Sequence, residues 1–236
     1  MSRTWIMVSA AVLAVATAAG AQTSATQRSY QVGGFDSISA AGPNNVIVTV
    51  GSGTSVRAQG PSDILDKMEV VVEDGDLEIR PKREFRNNFR WDRQERATFY
   101  VTAPMVKAAA IAGSGDMKID RIEGDRFSAA IAGSGNLDVA SLRVAKADFS
   151  IAGSGDLSAR GSAGDSDLSI AGSGNLNLAQ MMSRTTSISI AGSGNVQASA
   201  SETADVSIIG SGDVQVSGTA RCSISKMGSG GVRCGR

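Results

Sequence analysis

The side chains in this chain that could do chemistry fall into four groups, and histidine is in none of them. The 236 residues contain no histidine at all. That removes the commonest general base and the commonest metal ligand together. The first group is the serines of seven Gly-Ser-Gly phrases, Ser114, Ser134, Ser154, Ser173, Ser193, Ser211 and Ser229. None stands in the Gly-x-Ser-x-Gly pattern of a strand-to-helix nucleophile turn. No Lys-Ser or Lys-Thr follows them, as a phosphate-cradling loop requires. Seven copies of one supposed active-site loop argue for architecture.

The second group stands two residues after each serine: Asp116, Asn136, Asp156, Asn175, Asn195, Asp213 and then Gly231. Three readings are open for this column. Asn and Asp tolerate the left-handed conformation of a corner and bond local backbone, which is the reading preferred here. A calcium ladder, as in Gly- and Asp-rich nonapeptide repeats, needs a shorter period and more carboxylates. A polysaccharide lyase or hydrolase would use Asp116, Asp156 and Asp213 with Arg143 or Arg160, but nothing in the linear sequence makes these converge. Mixing Asn with Asp also limits repulsion, since adjacent carboxylates at strand spacing repel by roughly 1 kcal/mol even in water.

The third group lies between Arg80 and Arg96, a basic stretch with Phe85, Phe89 and Trp91 set among the charges. Arginine pairs bidentately with carboxylate, sulfate or phosphate. Arg86, Arg90, Trp91 and Arg93 are therefore the candidate binding residues, for an anionic glycan, lipopolysaccharide or an envelope surface. The plainer reading is a solvated loop that covers the first coil and blocks edge pairing. The fourth group is Cys222 and Cys234, seven before and five after their serine. Both have inward parity, so a disulfide across the last coil is expected. The CxxC spacing of a dithiol metal or redox site is absent.

The elements that carry these groups are set by the repeat. The serines step by 20, 20, 19, 20, 18 and 18 residues. Three residues before each stands an isoleucine, from Ile111 to Ile208, until Lys226 replaces it. Three after stand Met117, Leu137, Leu157, Leu176, Val196 and Val214. Apolar and polar residues alternate on both arms, which is the period of a strand. Gly-Ser-Gly sits between the arms, where glycine permits a positive φ. Each repeat thus reads as strand, corner, strand and a looser return through residues such as Ser141–Val144. One unit cannot bury its own apolar face, so units must stack. The expected fold is all-β: a single-stranded, right-handed parallel β-helix of about seven coils, 18–20 residues each, with a β-rich N-terminal part.

The repeats begin at about Val106. Before them, Gly51-Ser52-Gly53 echoes the motif, Pro61–Met68 reads as one helical turn with Ser62 as its cap, and Asp74-Gly75 as a hairpin turn. Residues 1–21 read as a signal peptide: Arg3, an apolar run, and Ala19-Gly20-Ala21 as a small-x-small site, with cleavage between Ala21 and Gln22. Residues 22–29 read as a polar spacer, and 30–236 as one domain. Within it, 30–105 is the N-terminal β part with the basic insertion 80–96, and 106–236 holds the regular repeats. The formal charge is zero, which does not favour a nucleic-acid partner. No cofactor or metal is implied, and the mature chain shows no transmembrane segment.

The repeated Ser-Gly-Asn/Asp corners, Asp74-Gly75-Asp76-Leu77-Glu78-Ile79 and the Thr102-Ala103-Pro104 lead-in resemble the head GIN domain, named as a putative autotransporter adhesin head. The likeness spans about Phe35 to Val216. It implies adhesion at the bacterial envelope. An autotransporter carries a C-terminal membrane barrel, and repeats running almost to Arg236 leave no room for one. The expectation is an exported, non-enzymatic cell-envelope protein, adhesin-like or structural. Its place is the periplasm, the outer membrane or the outside of the cell. A lyase or hydrolase acting on an acidic glycan is the alternative.

Overall fold

The computed structural model describes residues 26–85 and 96–235. The chain is nearly all β, 72% strand and 4% helix, and its stacked parallel strands wind a β-solenoid of about 6 turns. Ala21 and Gln22 lie outside the described residues, as do Arg86, Arg90, Trp91 and Arg93. No helix among the described residues is long and apolar enough to cross a membrane.

The N-terminal part is not simply the first layers in order. Its strands are β1 (Thr26–Tyr30), β2 (Ser37–Gly42), β3 (Asn45–Val50) and β4 (Ser55–Gly60). The helix α1 (Ser62–Lys67), β5 (Met68–Glu73), β6 (Asp76–Pro81) and β7 (Thr98–Ala103) follow. β1 begins inside the span read as a polar spacer and pairs antiparallel with β4. β2 pairs in parallel with β6 on one side and with β8 (Ala108–Gly113) on the other. β3 does the same with β7 and β9 (Met117–Ile119). The β2–β3 coil, first in sequence, therefore lies between the later β6–β7 coil and the first regular coil.

Its corner is Gly42-Pro43-Asn44-Asn45, in register with Gly113 at one end and joined to it by Ser114 and Gly115, whose N–H groups donate to the Gly42 carbonyl at 3.3 and 3.0 Å. Gly51-Ser52-Gly53, which looked like the early copy, follows β3 and takes no part in the corner stack. Asp74 and Gly75 both have positive φ, 51° and 83°, as the Asp-Gly hairpin between β5 and β6 requires. Pro61, not Ser62, is the N-cap of α1, and no side chain caps it. The helix holds instead by burying Ile64 and Leu65.

From β8 onward the chain is regular. Its strands are β10 (Ile122–Gly133), β11 (Leu137–Gly153), β12 (Asp156–Gly172), β13 (Asn175–Gly192) and β14 (Asn195–Gly210). They end with β15 (Val214–Gly218), β16 (Arg221–Met227) and β17 (Val232–Cys234). The isoleucines pair one to one, Ile111–Ile131–Ile151–Ile170–Ile190–Ile208, and all are buried. Burying one such side chain is worth about 1.5–3 kcal/mol, so the column is a main source of cohesion. The return is tighter than expected: it is strand, with Leu142 opposite Ile122 and Gly161 opposite Leu142. The changes in repeat length fall at register shifts between Val139 and Leu142, Ser158 and Gly161, and Asn177 and Thr185. The strands leading into the corner stay in unbroken register.

Two glycines make each corner for different reasons. The first has a positive φ, 135° at Gly153. The second points inward, and a Cβ on Gly155 would run into the carbonyl oxygen of Gly135 and into Ile131. The first glycine's carbonyl accepts from two N–H groups of the next coil: Ser154 and Gly155 donate to Gly133 at 2.8 and 3.1 Å. The close approach of backbone to backbone is what the glycines permit.

At the C-terminal end, Cys222 follows the inward column of Ala204 and Cys234 that of Val216. The two are bonded across the last coil, with Cα atoms 6.5 Å apart. Lys226, standing where the isoleucine column ends, donates to the Gly230 carbonyl at 2.9 Å.

Candidate binding groove

The strands that leave the corners carry two outward columns. The first is the Asp/Asn column, and its conformation differs from expectation. Among the described residues Asp74 is the only non-glycine with positive φ. Asp116 and its counterparts are not left-handed, and they bond the next coil instead of local backbone. Asn136 donates to Asp116 Oδ1 from its backbone N–H at 3.1 Å and from Nδ2 at 2.8 Å. Asn175 does the same to Asp156 Oδ1, at 3.1 and 2.8 Å. Asn195 donates both bonds to Asn175 Oδ1. The Asp156 and Asp213 N–H groups donate to Asn136 and Asn195 Oδ1. Asn45 heads the ladder, accepting from the Asp116 N–H at 3.3 Å, and Gly231 closes it on Asp213 Oδ1. Each rung satisfies a backbone donor at the place where the chain bends. An Asn above an Asp adds a side-chain donor that a second Asp would lack.

The second column lies two residues further on: Lys118, Asp138, Ser158, Asn177, Gln197 and Gln215, with Arg233 at the end. Ser158 donates a short hydroxyl bond to Asp138, and Arg160 reaches Asp138 at 3.2 Å and Gln180 at 3.0 Å. Asn177, Gln197 and Gln215 are exposed, with no side-chain bond to the described residues. Together the two columns line a groove of about 890 Å³ that runs along the stack from Asp116 to Arg233.

The carboxylates of the expected catalytic set do not gather. Asp116 and Asp156 are separated by the Asn136 rung, and Asp156 and Asp213 by Asn175 and Asn195. Arg143 lies on the return stretch opposite Ser162, away from the groove, and Arg160 is engaged by Asp138 and Gln180. Among the described residues no three of His, Cys, Asp and Glu are placed to hold a metal ion.

The basic stretch is placed by its flanks. Its described flanks are β6 with the short turn Arg83–Phe85 on one side and Arg96 and Ala97, leading into β7, on the other. Asn44 stands where later coils have the inward glycine; its buried Oδ1 accepts from the Ala97 N–H at 3.0 Å. The Asn45 N–H donates to the Ala97 carbonyl at 2.9 Å. Arg80, the first base of the stretch, is taken up by Glu69 and Glu73 at 2.8 and 3.0 Å and by Glu78. Its hydrogen bond to Glu69, foremost, holds its pKa above the ordinary guanidinium value. The groove residues Asn177, Gln197 and Gln215 were absent from the candidates read from sequence. Their signal was the polar column at fixed offset from each serine, hidden by its resemblance to any solvated face.

Among solved structures, the fold is shared with a putative adhesin from Bacteroides fragilis NCTC 9343, at 26% identity and a TM-score of 0.79, covering 89% of this chain and 97% of that one. A putative lipid binding protein from Parabacteroides distasonis ATCC 8503 follows at 22% identity and 0.72, covering 89% and 96%. A putative adhesin from Parabacteroides merdae ATCC 43184 stands at 16% and 0.69, covering 89% and 95%. The last two show likeness of fold alone. No curated protein matches. Residues 34–220 match the family described as "Putative auto-transporter adhesin, head GIN domain", and the chain belongs to that family.

Proposed function

We propose that this chain is an exported, non-enzymatic, adhesin-like protein that holds an extended surface polymer in the groove beside its Asp/Asn ladder. The observation that carries the reading is the groove itself. It presents equally spaced polar groups over successive coils, about 4.8 Å apart. Such a surface suits an extended ligand and gains from contacts repeated along it. Family membership supports an adhesin-like role, and the apolar leader before Ala21 supports export to the periplasm, the outer membrane or the cell exterior.

The test is retention on isolated bacterial envelopes. The Asn177→Ala, Gln197→Ala, Gln215→Ala variant removes three exposed carboxamides and leaves the ladder intact, so its unfolding free energy changes by no more than about 0.5 kcal/mol per substitution. Retention falls if the groove is the binding face. Unchanged retention refutes it. A parallel variant, with Arg86, Arg90 and Arg93 changed to Ser, tests whether an anionic glycan or lipopolysaccharide binds instead at the basic stretch. If only that variant loses retention, binding belongs there.

A further inference from the structure

The ladder consumes some hydrogen-bonding valences and leaves others, and those left point to a class of ligand. At Asp116, Asp156 and Asp213 the bonds to the next coil all fall on Oδ1. Oδ2 of each is left as an acceptor. At Asn136, Asn175 and Asn195 one Nδ2 hydrogen goes to the coil before. The other is left as a donor. Beside them Asn177, Gln197 and Gln215 offer whole carboxamides, each with two donors and an acceptor. A ligand that fits must donate and accept at short, regular intervals along the axis. The hydroxyl and acetamido groups of a sugar chain do both.

Charge narrows the class further. Asp116, Asp138, Asp156 and Asp213 line the groove, against Lys118 and Arg233 near its two ends. From Asn175 to Gln197 the lining carries no charge. A polyanion laid in this groove would set carboxylates or sulfates against fixed carboxylates. The lining holds no aromatic ring either, so the sugar faces have no stacking platform and recognition rests on hydrogen bonds.

We propose that the groove takes a neutral, hydroxyl-rich glycan chain laid along the solenoid axis, with Asn177, Gln197 and Gln215 as specificity-determining contacts. This rests on the groove being the adhesive face. It also sets the groove apart from the anionic partners that fit the basic stretch.

The experiment is calorimetric titration of the full chain with dextran, laminarin and yeast mannan as neutral probes, and with polygalacturonate and heparin as anionic ones. At least one neutral polysaccharide binds, about tenfold or more tightly than either polyanion, and the affinity holds up to about 1 M salt. The triple alanine variant weakens that binding about tenfold or more, equivalent to one or two lost hydrogen bonds, with an unchanged unfolding midpoint. Gln197→Glu, which keeps size and adds charge, also weakens it. Preference for a polyanion, neutral binding that survives the triple variant, or no binding of any neutral probe overturns the proposal. Envelope retention that depends on the same three residues, without neutral-glycan binding, removes the ligand class and leaves the adhesive face standing. Loss of both removes the broader reading as well.

Discussion

Gly155→Ala isolates the close approach on which the corner depends. The position has no positive φ, so alanine meets no conformational penalty there. Taken alone, the change would stabilise by about 0.4–1 kcal/mol through the unfolded chain. Against this, the new Cβ collides with the Gly135 carbonyl oxygen and lies 2.9 Å from Ile131 Cγ2. The first contact is with backbone, which cannot rotate away. Relief requires the coils to part locally, which lengthens the bonds from Ser154 and Gly155 to Gly133. Overpacking of this kind costs about 1–3 kcal/mol, and two weakened backbone bonds bring the net to the upper part of that range. For a chain of this size that corresponds to a fall of roughly 4–12 °C in melting temperature. The same change at Gly230 in the last coil meets the Gly212 carbonyl, but that coil has no further layer to resist its movement and should lose less. Urea unfolding followed by far-UV circular dichroism measures both. A neutral or stabilising Gly155→Ala would refute the corner geometry.

The other predictions concern charge and the last coil. Asn175→Asp places carboxylates on adjacent rungs and removes the donor to Asp156. It should cost about 1 kcal/mol in repulsion plus about 0.5–1.5 for the bond; about 1 M salt restores only the first part, and urea midpoints at both salts check it. Asp36 accepts from Lys107 at 2.6 Å, and chiefly that bond holds its carboxyl below the ordinary value. Its stabilisation is therefore present above the unfolded carboxylate pKa and lost as pH falls through the folded one. Asp36→Asn should be slightly the less stable at neutral pH, a small effect at so exposed a pair, and the gap should close in acid. Reducing Cys222–Cys234, a separation of 12 residues, should cost about 2–3 kcal/mol. The loss is local, so hydrogen exchange should speed in residues 221–235 while the Ile151 and Ile170 coils stay protected.

Much of the solenoid was legible because covalent spacing alone sets it. Once Ile111, Ile131 and Ile151 recur at coil length with the same parity, stacking in register is the arrangement that buries them all. What spacing cannot express is which coil lies beside which. The insertion of β2–β3 between β6–β7 and β8–β9 depends on pairing across long loops, and Gly42-Pro43-Asn44-Asn45 carries no serine to betray it. Its likeness to the other corners lies in the Gly42 carbonyl and the Asn45 amide, not in its letters. The ladder was misjudged for a related reason. An Asn side chain serves a left-handed turn or a neighbouring coil equally well, and only the neighbour decides. The groove was legible in composition and illegible in purpose, since Asn177, Gln197 and Gln215 read one at a time are ordinary surface residues.

The claim that binding runs along the ladder face is tested most directly by following side-chain amide resonances. In the ¹⁵N-labelled full chain, the NH₂ signals of Asn177, Gln197 and Gln215 are to be assigned and titrated with a neutral polysaccharide that binds. The account predicts shifts in these three together with Asn175 and Asn195, while Gln59 on β4 stays fixed. Shifts elsewhere, with the groove carboxamides unmoved, would contradict it.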